Sequence, residues 1–316
     1  MGDHIPIAGI FNLDKPVGMT SHDVVARIRR LVNQKRVGHA GTLDPAASGV
    51  LPILLGQATR VAEYLSDSGK AYRATIRFGV VTDTYDAEGQ IVREAPVALT
   101  REEIVAALPE FLGEQLQRPP VYSALKRGGQ RLYALARAGE SVMVEPRPVS
   151  IDSLDIVDWT PPTLTLDVEC GKGTYIRSLA FDLGERLGPG AHLAALVRTR
   201  SGPFTLGASV SLEMLAQSFA ADTWREYLFA PDEALLSWQA AILDAANEAR
   251  VRFGQTLSIS SADPPGAPKE ARPLMRAYSV DGRFLGIIRW DADGWHPHKV
   301  LLSAPDDLSE PRSNRS

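Results

Sequence analysis

The sequence predicts an α+β protein, in which helices and half-buried strands build a main domain and a smaller strand-rich unit follows it. Residues 71–79 alternate between apolar and polar side chains, which is typical of a strand with one buried face. Residues 21–32 instead place apolar side chains at helical spacing. A second strand-rich stretch follows residue 250, beyond a charged helical region. Together these three observations predict the α+β class.

The other elements are predicted from capping residues, apolar spacing and turn residues. Ser21 is predicted to be the N-cap of the first helix. Thr100 and Glu103 match the reciprocal capping box that begins a later helix. A third helix is predicted to begin near Thr174 and to end at the glycines of residues 188–190. The remaining predicted elements are a helix at 58–65 and strands at 10–15, 149–157, 163–170, 251–257, 284–290 and 298–302.

Composition limits the class of protein. The chain has 316 residues, of which 44% are hydrophobic, which is enough for two domains with sizeable cores. Its single cysteine, Cys170, excludes an intrachain disulfide and argues against a cysteine-based zinc site, so we expect no metal. No apolar run approaches the roughly 20 residues that cross a bilayer, and the N-terminus lacks a signal-peptide pattern. These features favour a cytoplasmic location.

Charge is distributed unevenly along the chain. The formal net charge is −4, from 34 basic and 38 acidic residues. Five cations cluster within residues 27–36 and six more within 118–147, while residues 83–114 are acidic. Because phosphate binding needs only one basic face, the sequence permits a nucleic-acid interface. The alternative for either cluster is a solvated surface without a partner.

Residues 38–53, which read GHAGTLDPAASGVLPI, place one carboxylate in an apolar, glycine-rich setting. Asp44 precedes Pro45, and a residue before proline avoids helical conformations, so Asp44 is predicted to lie on an extended loop. A charged residue in such a loop is a candidate functional group. The alternative is a cap for a short helix starting near Ala46, because Asp is a favoured N-cap. The residues alone leave these two interpretations evenly matched.

Residues 118–148 combine cations with tyrosines. They begin with two prolines and continue VYSALKRGGQRLY. Cations bind phosphates and aromatic rings stack on bases, so this composition suits RNA binding. A basic surface segment without a partner is the alternative, and composition alone favours that alternative.

The stretch at 38–53 resembles motif II of the pseudouridine synthases, and in particular the TruB family, whose pattern reads GHAGTLDPxATGxL. Ser48 stands where the family usually has threonine and keeps the hydroxyl. The resemblance covers nearly the whole chain and weakens after about residue 210. It implies a catalytic fold with a mixed, largely antiparallel sheet flanked by helices, followed by a small β-rich, PUA-like RNA-binding domain.

The resemblance also divides the chain. It implies a catalytic domain at 1–245, within which 118–148 would be a thumb-like insertion that binds RNA. The PUA-like domain would occupy 246–303. Residues 304–316 are polar and are expected to form a disordered tail.

The implied activity is that of a tRNA-modifying isomerase of the intramolecular-transferase class. It would convert uridine 55 in the T-loop of tRNA to pseudouridine, after flipping that nucleotide out of the folded RNA. The uracil leaves the ribose through its C–N bond and returns through carbon, so no redox change occurs and no cofactor is expected. Asp44 would be the nucleophile. The sequence leaves open whether it attacks C6 of uracil or C1′ of ribose.

The resemblance implies roles for further residues. Arg177 would pair with Asp44 and keep it ionised, and Tyr72 would stack on the target base and act as a general base. Taken alone, Tyr72 would more often be a core residue, and Arg177 would more often pair with Asp182 or the backbone. Other implied substrate-binding residues are His39, Tyr175, Leu196 and the thumb cations Lys126, Arg127 and Arg131.

Two other functions compete with this interpretation. Guide-dependent relatives modify sites selected by a box H/ACA RNA, but they tend to read HSG at the position of His39-Ala40-Gly41 and lack the insertion. These differences favour a stand-alone monomer that binds the tRNA T-arm and needs no guide RNA or protein partner. The second competitor is a tRNA-folding chaperone with incidental catalysis. An intact set of Asp44, Tyr72 and Arg177 indicates chemistry without excluding that additional role.

Overall fold

The computed structural model describes residues 7–120, 126–127, 130–131, 145–259, 273–291 and 294–301. The predicted tail lies outside these residues, as does most of the predicted insertion, of which two short strands are described by their backbone alone. None of the described helices combines the length and the apolar character needed to cross a membrane.

Strands are the commonest secondary structure among the described residues. In chain order they are β1 (Gly9–Lys15), β2 (Val37–His39), β3 (Ala47–Leu55), β4 (Lys70–Phe78), β5 (Val80–Thr82), β6 (Ile91–Glu94), β7 (Gly113–Gln117), β8 (Lys126–Arg127), β9 (Gln130–Arg131), β10 (Arg147–Thr160), β11 (Thr163–Cys170), β12 (Ala191–Ser201), β13 (Phe204–Thr205), β14 (Val210–Ser211), β15 (Leu228–Phe229), β16 (Ala240–Leu243), β17 (Leu274–Ser279), β18 (Phe284–Asp291) and β19 (Gly294–Val300).

An eleven-stranded sheet forms the centre of the protein. Its main path is β14-β1-β3-β12-β4-β11-β10-β7, with β2, β13 and β15 attached at its sides. The β1–β14 and β3–β12 pairs are parallel, and the other pairs in this sheet are antiparallel. The α+β class and the predicted mixed, largely antiparallel sheet are therefore confirmed.

Five of the six described α-helices flank this sheet, and the last packs against the C-terminal strands. They are α1 (Ser21–Leu31), α2 (Ala62–Asp67), α3 (Arg101–Ala107), α4 (Ile176–Leu187), α5 (Leu212–Ala220) and α6 (Ala245–Arg252). The predicted helix at 58–65 is instead a 3₁₀ segment, Gly56–Val61, that continues into α2. The capping box of Thr100 and Glu103 is confirmed.

The predicted N-cap of α1 is wrong by one residue. Thr20 holds the cap position, where its hydroxyl accepts a hydrogen bond from the Asp23 amide at 3.1 Å. The Asp23 carboxylate accepts the Thr20 amide at 2.9 Å in return. Ser21 is already helical, and its buried hydroxyl bonds the backbone of Leu43 instead. The Ser21 hydroxyl is thus used in a tertiary contact with Leu43, and the Thr20 hydroxyl caps the helix.

The core beneath the centre of the sheet is built by α4 and by the alternating face of β4. Ala74, Ile76 and Phe78 are buried there, as the alternation predicted, and Tyr72 continues the same face as a half-buried residue. Leu179 of α4 and its neighbours pack against this face. Each fully buried aliphatic or aromatic side chain contributes roughly 1.5–3 kcal/mol, so α4 is held firmly against the sheet.

A second sheet of four strands, β16-β17-β18-β19, forms the C-terminal unit. The strand predicted at 251–257 is wrong, because α6 runs through Arg252 and Gly254 turns the chain at φ +68°. The sheet begins at Ala240, before the predicted boundary at 246, and the division into two domains stays a prediction. Ile287 of this sheet shares a core cluster with residues of α2 and its 3₁₀ segment.

Candidate active site

Asp44 lies on the loop between β2 and β3. The strand β3 begins at Ala47, so no helix follows Asp44 and the alternative of an N-cap is wrong. The Asp44 carbonyl accepts the Ala47 amide at 3.1 Å, which closes a tight turn through Pro45. The carboxylate remains 48% exposed, so a ligand can reach it.

Side chains from two other elements hold the backbone on either side of Asp44. The Ser21 hydroxyl accepts the Leu43 amide at 2.9 Å and donates to the Leu43 carbonyl at 3.1 Å. The ammonium of Lys15 is buried and donates to the Pro45 carbonyl at 3.4 Å and to two nearer carbonyls. Because both neighbours of Asp44 are bound, the loop presents its carboxylate from a fixed backbone.

Arg177, the second residue of α4, pairs with two carboxylates at once. Its guanidinium lies 3.1 Å from Asp44 and 3.1 Å from Asp86, and its side chain is only 10% exposed. Asp86 is itself fixed, because its carboxylate accepts the Thr84 hydroxyl at 2.6 Å and the Glu88 amide at 3.1 Å. An arginine is charged at every physiological pH, so Asp44 faces a permanent, oriented cation.

A cavity of about 230 Å³ opens at Asp44. Of the residues predicted for the site, the structure brings five into its lining: Asp44, Tyr72, Tyr175, Arg177 and Leu196. His39 lies outside this lining, on β2. A larger cavity of about 620 Å³ lies at the opposite end of β4, around Phe78 and Pro162, and contains none of these residues.

Tyr72 lies on β4 directly opposite Arg198 of β12, and the Arg198 guanidinium lies close to the Tyr72 hydroxyl. Burial raises the pKa of the Tyr72 hydroxyl, and the nearby Arg198 charge opposes that rise. The phenol is therefore neutral at physiological pH, with a cation placed to stabilise any negative charge that develops on its oxygen.

Tyr175 occupies the N-cap position of α4, and Gln117 at the end of β7 holds its backbone. The Gln117 amide group accepts the Tyr175 amide at 2.8 Å and donates to the Tyr175 carbonyl at 3.0 Å. The Ser178 hydroxyl donates to the Arg118 carbonyl at 2.8 Å. The point where the predicted insertion leaves the sheet is therefore attached to the start of α4, on both sides of Arg177.

His39 is a neutral imidazole in a cationic environment. Burial lowers its pKa to about 4, and the nearby charges of His22 and Arg198 act in the same direction. Its Nδ1 atom is buried and forms no hydrogen bond within the described part of the chain. His22 meets it edge to face, with ring centroids 5.6 Å apart.

The thumb cations can be placed only by their backbone. Lys126 and Arg131 lie opposite each other in the β8–β9 pair, and Arg127 lies opposite Gln130. Their side chains lie outside the described structure, so their predicted contacts with RNA stay a prediction.

Four residues that contact the site were missed from the sequence: Lys15, Asp86, Gln117 and Arg198. Asp86 belongs to a segment whose composition indicates only an acidic surface. Arg198 and Arg200 both lie on β12, where regular alternation predicts the same face for both. The register shift between them in the pairing with β4 cannot be read from the sequence. The only available signal was Lys15, a charged residue at the end of an otherwise apolar strand.

Two family models match the chain. Residues 29–176 match the N-terminal domain of the TruB family pseudouridylate synthases. Residues 177–241 match the C-terminal domain of tRNA pseudouridylate synthase B. The boundary between the matches falls between Ile176 and Arg177, so the site described above draws on both.

Curated and solved proteins agree with these matches. The tRNA pseudouridine synthase B of Dehalococcoides mccartyi is 44% identical over 297 residues, covering 93% of this chain and 97% of that protein. Its namesake from Pseudomonas aeruginosa is 43% identical over 291 residues, covering 91% and 93%.

Two solved structures share the fold. An H/ACA RNP bound to a substrate RNA containing 2′-deoxyuridine has a TM-score of 0.72 at 26% identity and covers 93% of this chain and 85% of that one. A Cbf5–Nop10–Gar1 complex has a TM-score of 0.70 at 29% identity and covers 89% and 78%. With both domain models and near full-length relatives in agreement, the chain belongs to the TruB family of pseudouridylate synthases.

Proposed function

We propose that this protein is a stand-alone tRNA pseudouridine synthase that isomerises uridine 55 in the T-loop of tRNA. The observation that carries the proposal is the Asp44 carboxylate held at 3.1 Å from a buried guanidinium inside a cavity lined by two tyrosines. The near full-length relatives named tRNA pseudouridine synthase B support the choice of substrate.

In the proposed reaction, Asp44 is the nucleophile, and it attacks either C6 of uracil or C1′ of the ribose. The N1–C1′ bond breaks, the uracil rotates within the pocket, and a C5–C1′ bond forms. The bond between Asp44 and the substrate also breaks, which restores the carboxylate. The C5 proton then leaves and N1 gains one, so the product is an isomer and no electrons are transferred. No cofactor is proposed.

The surrounding residues have complementary roles in this proposal. Arg177 orients the attacking carboxylate and stabilises its charge, and charge-assisted bonds of this kind are the stronger ones. Tyr72 stacks on the uracil, and its hydroxyl gives its proton to N1 and receives the C5 proton in exchange. Arg198 lies beside the hydroxyl and stabilises the phenolate between the two transfers. Tyr175 and Leu196 close the pocket, which hinders the detached base from escaping and keeps water out.

RNA binding requires the target nucleotide to leave its stack, which costs a few kcal/mol. Aromatic stacking in the pocket returns roughly 1–3 kcal/mol per base. His39 would contact the flipped nucleotides as a neutral imidazole. The cations of the insertion and the PUA-like unit would bind the T-arm backbone. We propose that the enzyme acts as a monomer in the cytoplasm.

A guide-dependent synthase is the second candidate, because the H/ACA complexes share this fold at TM-scores of 0.70 and 0.72. The relatives of higher sequence identity are named as tRNA synthases, which favours the stand-alone enzyme. The two candidates differ in whether activity needs a second RNA.

The deciding experiment measures tritium release from a T-arm stem-loop carrying [5-³H]uridine at position 55, without other RNA. Wild-type protein should release tritium and Asp44→Asn should not, while both bind the stem-loop. Asp167→Asn serves as the matched control, because it neutralises an exposed, arginine-paired carboxylate. Binding without release by the wild type would instead indicate a missing guide or a chaperone.

The insertion has its own test. Replacing Lys126, Arg127 and Arg131 by glutamine should weaken tRNA binding and lower its dependence on salt. Each lost phosphate contact lowers the slope of log K against log salt by about 0.7–0.9. An unchanged slope would contradict the assignment of this segment to RNA binding.

A further inference from the structure

We propose that Arg198 is a positioning residue of the reaction, whose single buried guanidinium fixes the Asp44 loop and the Tyr72 hydroxyl relative to each other. The proposal rests on the proposed function, because it concerns the distance between the nucleophile and the group that would receive the C5 proton. Arg198 has no part in the pairing of Asp44 with Arg177.

The contacts of Arg198 on the loop side are all to backbone carbonyls. Its Nε donates to Val50 at 2.7 Å, its Nη2 to Gly41 at 2.9 Å and its Nη1 to Thr42 at 3.4 Å. These carbonyls lie on both sides of Asp44 along the chain. One planar group therefore connects the start of the loop to the strand that follows it.

The same guanidinium also faces the opposite wall of the pocket, formed by β4, where it lies close to the Tyr72 hydroxyl. β12 lies between β3 and β4 in the sheet, so its residue 198 is placed to contact both neighbours. Arg198 is opposite Gly49 on one side and Tyr72 on the other. Arg198 therefore lies between the two walls of the pocket, which are the Asp44 loop on one side and β4 on the other.

Close packing leaves this guanidinium little freedom to move. Arg198 is 1% exposed and is the largest of the fully buried side chains in the described structure. Gly49 has φ +100°, and a Cβ atom there would lie 2.3 Å from the Arg198 carbonyl oxygen. Only glycine allows β3 to approach β12 this closely, so the backbone that carries Arg198 is fixed as well.

Arg198 differs from an ordinary structural arginine in having no carboxylate partner. Among the described residues, no ion pair involves it, although Lys15, His39 and Lys70 lie near enough to sense its charge. Burying a charge without a counter-ion is costly. A buried charge of this kind is explained where the site needs its donors. Here every identified acceptor lies on the loop around Asp44 or on β3 behind it, and the Tyr72 hydroxyl lies close by.

The test compares Arg198→Lys and Arg198→Gln with Arg200→Lys, a control on the same strand whose side chain pairs with Glu169. Single-turnover tritium release and tRNA affinity are measured, and circular dichroism checks folding. We expect the Arg198 variants to fold and to bind tRNA within about twofold of wild type, with turnover about 100-fold slower, as for a reacting group misplaced by about 1 Å.

A double-mutant cycle with Tyr72→Phe tests the link between the two walls. Removing the hydroxyl first should reduce the effect of Arg198→Lys at least about threefold, because the group that Arg198 would position is already absent.

Full activity in both Arg198 variants, additive effects in the cycle, or failure of both variants to fold would each overturn the proposal. The last outcome would assign Arg198 to stability alone. An inactive wild type would instead contradict the proposed function, so the two failures are distinguishable.

Discussion

Two buried arginines hold the two walls of the pocket, and they do so with opposite kinds of partner. Arg177 on α4 binds two carboxylates, one of which is the proposed nucleophile. Arg198 on β12 binds three carbonyls and lies close to a phenol. The first guanidinium faces a group whose charge changes during the proposed reaction. The second faces groups that stay neutral until a proton is transferred.

The two arginines therefore meet different requirements: one faces a carboxylate whose charge changes, and the other holds the backbone in place. In the proposed reaction Asp44 loses its charge when it bonds to the substrate, and Asp86 would keep Arg177 oriented at that stage. The carbonyls bound by Arg198 keep the same charge throughout, so its hydrogen bonds to the Asp44 loop and β3 can stay the same. The predictions below disturb one wall at a time.

The largest effect is expected for Arg177→Lys. A lysine ammonium is a point charge on a flexible stem and cannot present the planar donors that bind both carboxylates. We expect turnover to fall by about 10²- to 10³-fold. Affinity for tRNA should change little, since Arg177 is 10% exposed. A comparable loss of tRNA binding would contradict a role in chemistry. Single-turnover kinetics and binding by filter retention provide both measurements.

Asp86→Asn should have a smaller effect on the same wall. A hydrogen bond to a charged group contributes roughly 1.5–3 kcal/mol, which corresponds to about 10- to 100-fold in rate. Glu88→Gln is the matched control, because Glu88 is an exposed neighbour in the same turn. If both variants turned over at the wild-type rate, Arg177 would not depend on its second carboxylate.

Gln117→Leu tests whether the start of α4 needs its support from β7. The substitution removes two neutral hydrogen bonds to the Tyr175 backbone, each contributing about 0.5–1.5 kcal/mol. We expect a melting temperature lower by several degrees and turnover lower by about threefold to tenfold. Gln115→Leu, on the same strand, removes bonds to the carbonyls of Glu110 and Leu112 instead, and should lower the melting temperature without changing turnover. Equal losses of turnover in the two variants would show that the effect comes from the stability of β7 in general.

The smallest effect concerns His39 on the Arg198 side. With a folded pKa of about 4, against 6.5 for an exposed histidine, the unfolded chain binds more protons between these values. Stability should therefore rise with pH across this window and fall as pH drops from 6.5 towards 4. An NMR titration of the ring should give a value near 4. A value near 6.5 would show that burial does not control this imidazole.

The sequence predicted the parts of the site that depend on local patterns. The extended Asp44 loop follows from Pro45, and the face of β4 that carries Tyr72 follows from alternation. The family resemblance alone assigns Asp44, Tyr72, Tyr175, Arg177 and Leu196 to one site, and all five line one cavity.

What the sequence missed depends on which strands become neighbours. Arg198 faces the loop because β12 runs parallel to β3 with Arg198 opposite Gly49, and its bond to Val50 joins residues 148 positions apart. Asp86 meets Arg177 across 91 positions of the chain. The missed cap at Thr20 has the same origin, since Ser21 is used by a distant loop.

The two strands that border the insertion have a further consequence. Arg147 lies directly opposite Gln117, so the chain leaves the sheet and re-enters it at one rung of the ladder. A segment attached in this way adds only a closure cost that grows slowly with length. It can be lengthened, shortened or exchanged without shifting the register of any strand behind it. The length and sequence of this segment can therefore differ between proteins while the strands that carry the pocket keep their positions.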